Sequence, residues 1–187
     1  SRLYNKRVKD DIAENSEQSE DNLFTAIIDI GASMTNITIT ENDIMKYNKI
    51  IDFGFSYLNH AISIDNPIEN NEVEQSKLDH NIFEICSTEE PDDTEKLIKV
   101  ITTDFIENIT TFFDFHASRK TGNRIDHIVL IGGGAYQKGI CETMQDAFNT
   151  TVSRGFEFSG VNFGNKIEYI DEKKLYFYNC IGACIKA

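Results

Sequence analysis

Asp29, Gly31, Ser33 and Thr35 sit close together in the run Ala26-Ile-Ile-Asp29-Ile-Gly31-Ala-Ser-Met-Thr35. A glycine at such a turn can take positive φ and leaves bare backbone N–H groups that can converge on a phosphate. Ser33 and Thr35 then supply hydroxyls, and Asp29 a carboxylate for a metal-bound water. The same residues have a plainer reading, in which Gly31 only makes the turn and Asp29 hydrogen-bonds it. A second cluster, Gly132-Gly133-Gly134, follows the apolar run Ile128-Val-Leu-Ile131. Three successive glycines remove every Cβ from a turn, so a flat ring or a phosphate can approach the backbone beside a helix N-terminus. A tight strand-to-helix crossover also needs glycine, but not three.

The elements that must position these residues follow from hydrophobic period. Ala26 to Ile30 is an apolar β-type run and Thr35 to Thr40 alternates, which predicts a hairpin. Met45 to Phe55 reads as a further strand ending at Gly54, followed by a helix over Tyr57 to Ile64. A long helix starts at Thr94, with Thr94 or Asp93 as its cap, and carries Leu97, Ile98, Ile101, Phe105, Ile109, Phe112 and Phe113 at helical spacing as core. Phe112-Phe-Asp-Phe115 belongs to that packing stripe rather than to a docking patch. Ile125 to Ile131 is a buried strand, and Ala135 to Phe148 a helix through Ile140, Met144, Ala147 and Phe148. Strands over 151–158 and 166–170, turns at Gly155, Gly160 and Gly164, and a closing helix over Leu175 to Ala187 complete an α/β fold with a mixed sheet flanked by helices.

The chain has 187 residues and a formal charge of −13. That length, with thirteen Phe and seven Tyr, supports a single core-bearing domain. The charge repels nucleic-acid phosphates and anionic lipid, and suits a basic partner face. No stretch approaches the roughly 20 apolar residues of a membrane span and no signal-peptide pattern opens the sequence; a span following Ala187 in a longer parent fits this reading. Ser1 to Asn22 starts basic (Arg2, Lys6, Arg7, Lys9), turns acidic and has few apolar residues, so it reads as a flexible tail, with Leu3 and Tyr4 as an alternative recognition segment. Asp65 to Glu95 holds eleven acidic residues against Lys77 alone and reads as an outer acidic lobe, about 65–118. Within it Glu89, Glu90, Asp92 and Asp93 are the candidate partner-binding residues; the bland alternative is that they only confer solubility.

Cys86, Cys141, Cys180 and Cys184 lack a zinc spacing, and Cys180 and Cys184 fit core positions one helical turn apart. His60, His80, His116 and His127 show no paired ligand pattern and read as surface or satisfied histidines, with His116 and His127 able to approach each other across the Arg119-Lys-Thr-Gly122 turn. No metal site is indicated.

Taken as an ordered pair, the two glycine clusters resemble a known family. Asp29-Ile-Gly31-Ala-Ser-Met-Thr35 is similar to the second phosphate hairpin of the actin-like ATPases, and Ile131-Gly132-Gly133-Gly134-Ala135 to their adenosine motif, in the flavour of the bacterial FtsA and PilM branch. The phrase Arg124-Ile-Asp-His-Ile-Val-Leu-Ile131 and the closing Ile181-Gly182-Ala183 agree, so the resemblance covers Leu23 to Ala187. It implies an actin-like (ribonuclease H-like) half-module with a small outer lobe, in which Asp29, Gly31, Thr35, Gly132, Gly133 and Gly134 form a vestigial nucleotide motif. The family's ATPases place the nucleotide between hairpins from two related halves. This chain shows one Asp-x-Gly-x-x-x-Thr segment, and phosphoryl transfer needs donors, metal and oriented water around one γ-phosphate.

The resemblance therefore implies a non-enzymatic module without cofactor. It would work on the cytoplasmic face of the bacterial inner membrane, as a docking part of a type IV pilus platform of the bundle-forming kind or of a related type II secretion platform. The implied partners are the motor ATPase and neighbouring platform proteins. A second reading is an actin-like protein that binds ATP by completing its cleft through a partner or homodimer. Fold alone does not decide between them.

Overall fold

The computed structural model describes residues 23–42, 44–59, 93–119, 123–155 and 174–180. Five strands form one mixed sheet: β1 (Phe24–Ile30), β2 (Thr35–Glu41), β3 (Ile44–Ile51), β4 (His127–Ile131) and β5 (Thr151–Arg154). Their order is β3-β2-β1-β4-β5. The first three run as an antiparallel meander, and β4 and β5 join parallel to β1. Among the described residues the helices α1 (Asp93–Ser118) and α2 (Ile140–Phe148) flank the sheet, as the α/β reading requires.

Alternation along β1 and β2 sets the layers. Phe24, Ala26, Ile28 and Ile30 are buried on one face, opposite Ile39 and Ile37 of β2 and Ile128 and Leu130 of β4. Full burial of an aliphatic or aromatic side chain is worth about 1.5–3 kcal/mol, so this face commits the register: a slip of one residue would turn it to water. α1 packs on it. Phe105 stacks on Phe53 at 4.3 Å, Lys49 sits over the Phe112 ring, and His116 meets Phe24 and Tyr47 edge-on. α2 closes the same layer through Phe113 and Phe148, 5.0 Å apart.

Several boundaries differ from the sequence reading. The strand expected to reach Phe55 ends at Ile51, because Phe53 and Gly54 turn back beneath the β1–β2 tip. The helix expected from Ala135 is split into a 3-10 turn (Gly133–Tyr136) and α2, since Gly139 adopts a left-handed conformation at φ 81° before Ile140. Of the α1 stripe, Ile98, Phe105, Ile109, Phe112 and Phe113 are core, Ile101 is half-buried and Leu97 is exposed. Phe115 is exposed too, under the Arg119 guanidinium at 4.6 Å. Cys180 is exposed rather than core, while Cys141 is half-buried; burial raises its thiol pKa above the ordinary range, against the pull of Arg154. The N-terminal tail, Cys86, Cys184, His60 and His80, most of the acidic lobe and the expected strand over 166–170 lie outside the described residues.

The histidines also correct the sequence reading. His116 is 1% exposed and, among the described residues, neither ring nitrogen has a hydrogen-bond partner, so it is neither a surface nor a satisfied residue there. His127 lies on the other face of the sheet, bonded to Ser153 Oγ at 2.9 Å, and the two histidines do not approach each other. Burial lowers the pKa of His127 to about 4, and lowers that of His116 against the opposing effect of Glu41. A histidine whose folded pKa lies below its unfolded value contributes stability that is complete above the unfolded pKa, near 6.5, and lost as pH falls toward the folded one. Thermal unfolding should therefore show a lower Tm at pH 4.5 than at pH 7. After allowance for solvent screening, His127 accounts for about 1–2 kcal/mol of that loss, and His127→Gln should flatten the dependence. His116→Phe, which removes two unpartnered nitrogens from an aromatic box, should raise stability at pH 7 by about 1 kcal/mol; a fall in Tm would refute this reading of the site.

Candidate functional site

The two glycine clusters lie side by side at the same end of the sheet, because β1 and β4 are parallel neighbours and Asp29 pairs with Ile131. At the β1–β2 tip the Gly31 amide donates to Met34 O at 3.0 Å. The carbonyls of Gly31 and Ala32 accept from the amides of Phe55 and Ser56 at 3.1 and 2.9 Å, and Ser56 Oγ donates to Ala32 O at 2.6 Å. Gly54 makes this approach possible, since a Cβ there would fall on the Ala32 carbonyl. The tip is thus clamped from below by residues 53–56. Its upper side is free: the amides of Ala32 and Ser33 and the Ser33 hydroxyl make no hydrogen bond among the described residues.

Thr35 does not offer its hydroxyl to that free side. It is fully buried and donates to Phe53 O at 2.9 Å, which corrects the role expected for it and assigns it to holding the clamp.

In the second cluster Gly132 has φ 83° and ψ 176°, a region open to glycine almost alone. Its amide donates to Leu175 O at 3.0 Å, and a Cβ would strike Asp29 Oδ1 and Ile30 O. At Gly134 a Cβ would strike the Ile30 side chain. Over Gly133 lies an aromatic ring of the chain itself: a Cβ would come 2.7 Å from Tyr176 Cε1. Tyr176 in turn stacks on Tyr136 with centroids 5.2 Å apart and planes at 28°. The Leu175 amide donates to the Tyr136 hydroxyl at 3.0 Å, and Asn179 Nδ2 donates to Asp29 Oδ2 at 2.7 Å. Burial raises the Tyr136 hydroxyl pKa, partly offset by the bond from Leu175.

Asp29 and the three glycines are therefore brought together, and residues 174–179 lie across them. The flat ring that glycine admits to the backbone is a side chain of this protein, and the carboxylate expected to hold a metal-bound water is held by an amide. Tyr136, Tyr176 and Asn179 were missed by sequence reasoning; the signal was the Tyr176-Phe-Tyr178 cluster ahead of Asn179, which apolar period assigns to a core helix. Among the described residues no group of three His, Cys, Asp or Glu side chains is placed to hold a metal ion. Of the partner-binding candidates, Asp93 is exposed on the first turn of α1 and paired with Lys96 at 2.8 Å, which lowers its pKa. Glu89, Glu90 and Asp92 lie outside the described residues.

The chain is similar to known proteins in sequence pattern and in fold. Residues 4–180 match the family model of the type IV pilus assembly protein PilM. The chain belongs to the PilM family. A solved PilM-PilN type IV pilus biogenesis complex has the same fold at TM-score 0.69 and 14% identity, over 95% of this chain and 48% of that one. An archaeal actin homolog matches at TM-score 0.55 and 13% identity, over 91% and 49%. The Alp12 filament structure matches at TM-score 0.50 and 16% identity, over 90% and 50%. This PilM-family chain thus spans about half the length of the structures it resembles, and its fold is actin-like. No curated protein matches it significantly by sequence. The family is named for a type IV pilus assembly protein, and among the described residues no helix is long and apolar enough to cross a membrane.

Proposed function

We propose that this PilM-family chain is a non-catalytic docking module on the cytoplasmic face of the inner-membrane platform of a type IV pilus, of the bundle-forming kind, and that it binds the motor ATPase and neighbouring platform proteins. The observation that supports this reading best is the occupation of the glycine turn by Tyr176, with Asn179 on Asp29. Tyr176 covers the face of Gly133 that a nucleotide base would use, and one Asp29 oxygen accepts from Asn179, which supports a turn that works without a nucleotide. Without it the turns serve as architecture. The solved complex of PilM with PilN supports platform proteins as the partner class.

The partner face in this proposal is the acidic segment ending at the start of α1. Changing Glu89, Glu90, Asp92 and Asp93 together to Lys alters the charge by eight units, and should weaken binding of the motor ATPase at least tenfold at physiological salt. The Kd from biolayer interferometry checks it, and unchanged affinity would remove the interface from this segment.

A second reading retains nucleotide binding through a cleft completed by a partner or homodimer. One observation favours it: the unpartnered amides of Ala32 and Ser33 at the hairpin tip still present a phosphate-sized donor pair.

A further inference from the structure

Away from the glycine turns, the C-terminal parts of α1 and α2 and residues 123–125 border an open cavity of about 460 Å³. Its floor is apolar, with Phe113 and Phe148 meeting edge-on and Ile125 beneath. Two opposite charges stand on its rim, Asp114 on α1 and Arg124 ahead of β4, both exposed. They line one cavity yet make no ion pair with each other. Asp114 has no hydrogen-bond or ion-pair partner among the described residues, and Arg124 uses one guanidinium nitrogen, on Asn149 O at 3.1 Å.

We infer that this cavity is a docking site for an amphipathic segment of a partner protein, which seats one apolar side chain on the floor formed by Phe113 and Phe148 and flanks it with a cation for Asp114 and a carboxylate for Arg124. The inference deepens the docking role proposed above and rests on it. Charge complementarity defines the occupant. A purely apolar side chain would engage neither rim charge, a basic segment would be repelled by Arg124, and an acidic one by Asp114. A segment with both signs about an apolar anchor satisfies all three surfaces, and a fork-shaped guanidinium selects a carboxylate bidentately. Buried anchors in well-packed pockets carry most of the affinity at such interfaces, with rim charges setting register and partner choice.

The test is selection of a displayed library of random 12-residue peptides on the whole chain, followed by affinity measurement on variants. Ala117 lines the cavity and is exposed on α1, so Ala117→Trp fills the site without touching the core. The account expects selected peptides with an apolar or aromatic residue flanked by one basic and one acidic residue, at least tenfold weaker binding to Ala117→Trp, and recovery on the Asp114→Lys, Arg124→Glu double variant when the two peptide charges are exchanged. Peptides that bind Ala117→Trp equally well would show docking at another surface: that overturns the cavity while leaving the docking role standing. No selected peptides, or peptides indifferent to the charge exchange, would also overturn it. Circular dichroism of both variants establishes that they are folded.

Discussion

Gly132→Ala should unfold much of the population at 37 °C, whereas Gly133→Ala should leave a folded protein. Both glycines sit in one turn, yet their surroundings differ. Gly132 combines φ 83° with a Cβ position that meets a backbone carbonyl and the Asp29 carboxylate. The dihedral alone costs about 1–3 kcal/mol for a non-glycine residue, and the displaced neighbours are β1 itself, whose pairing with β4 builds the sheet. The sum should reach about 4 kcal/mol, a large part of a typical domain's stability. At Gly133 the obstructing atom belongs to the half-exposed ring of Tyr176, which can swing away for about 1 kcal/mol of lost stacking. Urea unfolding of the two variants decides the matter, and equal destabilisation would mean that Tyr176 does not occupy the turn as described.

The second large effect is expected at Phe105. It is fully buried, stacks on Phe53 and meets Phe55 edge-on at 6.2 Å, so it joins α1 to the segment that clamps the hairpin tip. Phe105→Ala should cost about 3–5 kcal/mol, the usual range for truncating a core phenylalanine. Because the clamp hangs on Phe53 and Phe55, amide exchange at Phe55 and Ser56 should accelerate more than exchange in β4. Uniform acceleration across the sheet would instead show that the clamp has no separate dependence on α1.

These dependences also explain what the sequence disclosed. Alternation in β1 and β2 and the continuous apolar run of β4 are local properties, so both glycine clusters were placed correctly at strand ends, and the actin-like fold followed from their order. The stripe on α1 was legible for the same reason. The closing of the site was not, because it depends on contacts between residues far apart in sequence: Asn179 with Asp29, Tyr176 with Gly133, Thr35 with Phe53. A glycine that admits an adenine ring and one that admits the protein's own tyrosine carry the same letter. Gly139 and Gly132 likewise needed their dihedrals to show that the helix starts at Ile140 rather than Ala135. His116 was read as a surface or satisfied histidine, because residue type and period do not say that its nitrogens are buried without partners among the described residues.

The central claim is that the glycine turns are filled by the protein itself and serve a docking module. Calorimetric titration of the purified chain with ATP and Mg²⁺ tests it most directly. The account predicts no heat of binding and no rise in Tm, for the wild type and Gly133→Ala alike. Micromolar binding that disappears in Gly133→Val would show that Tyr176 yields to a nucleotide, and would contradict the claim.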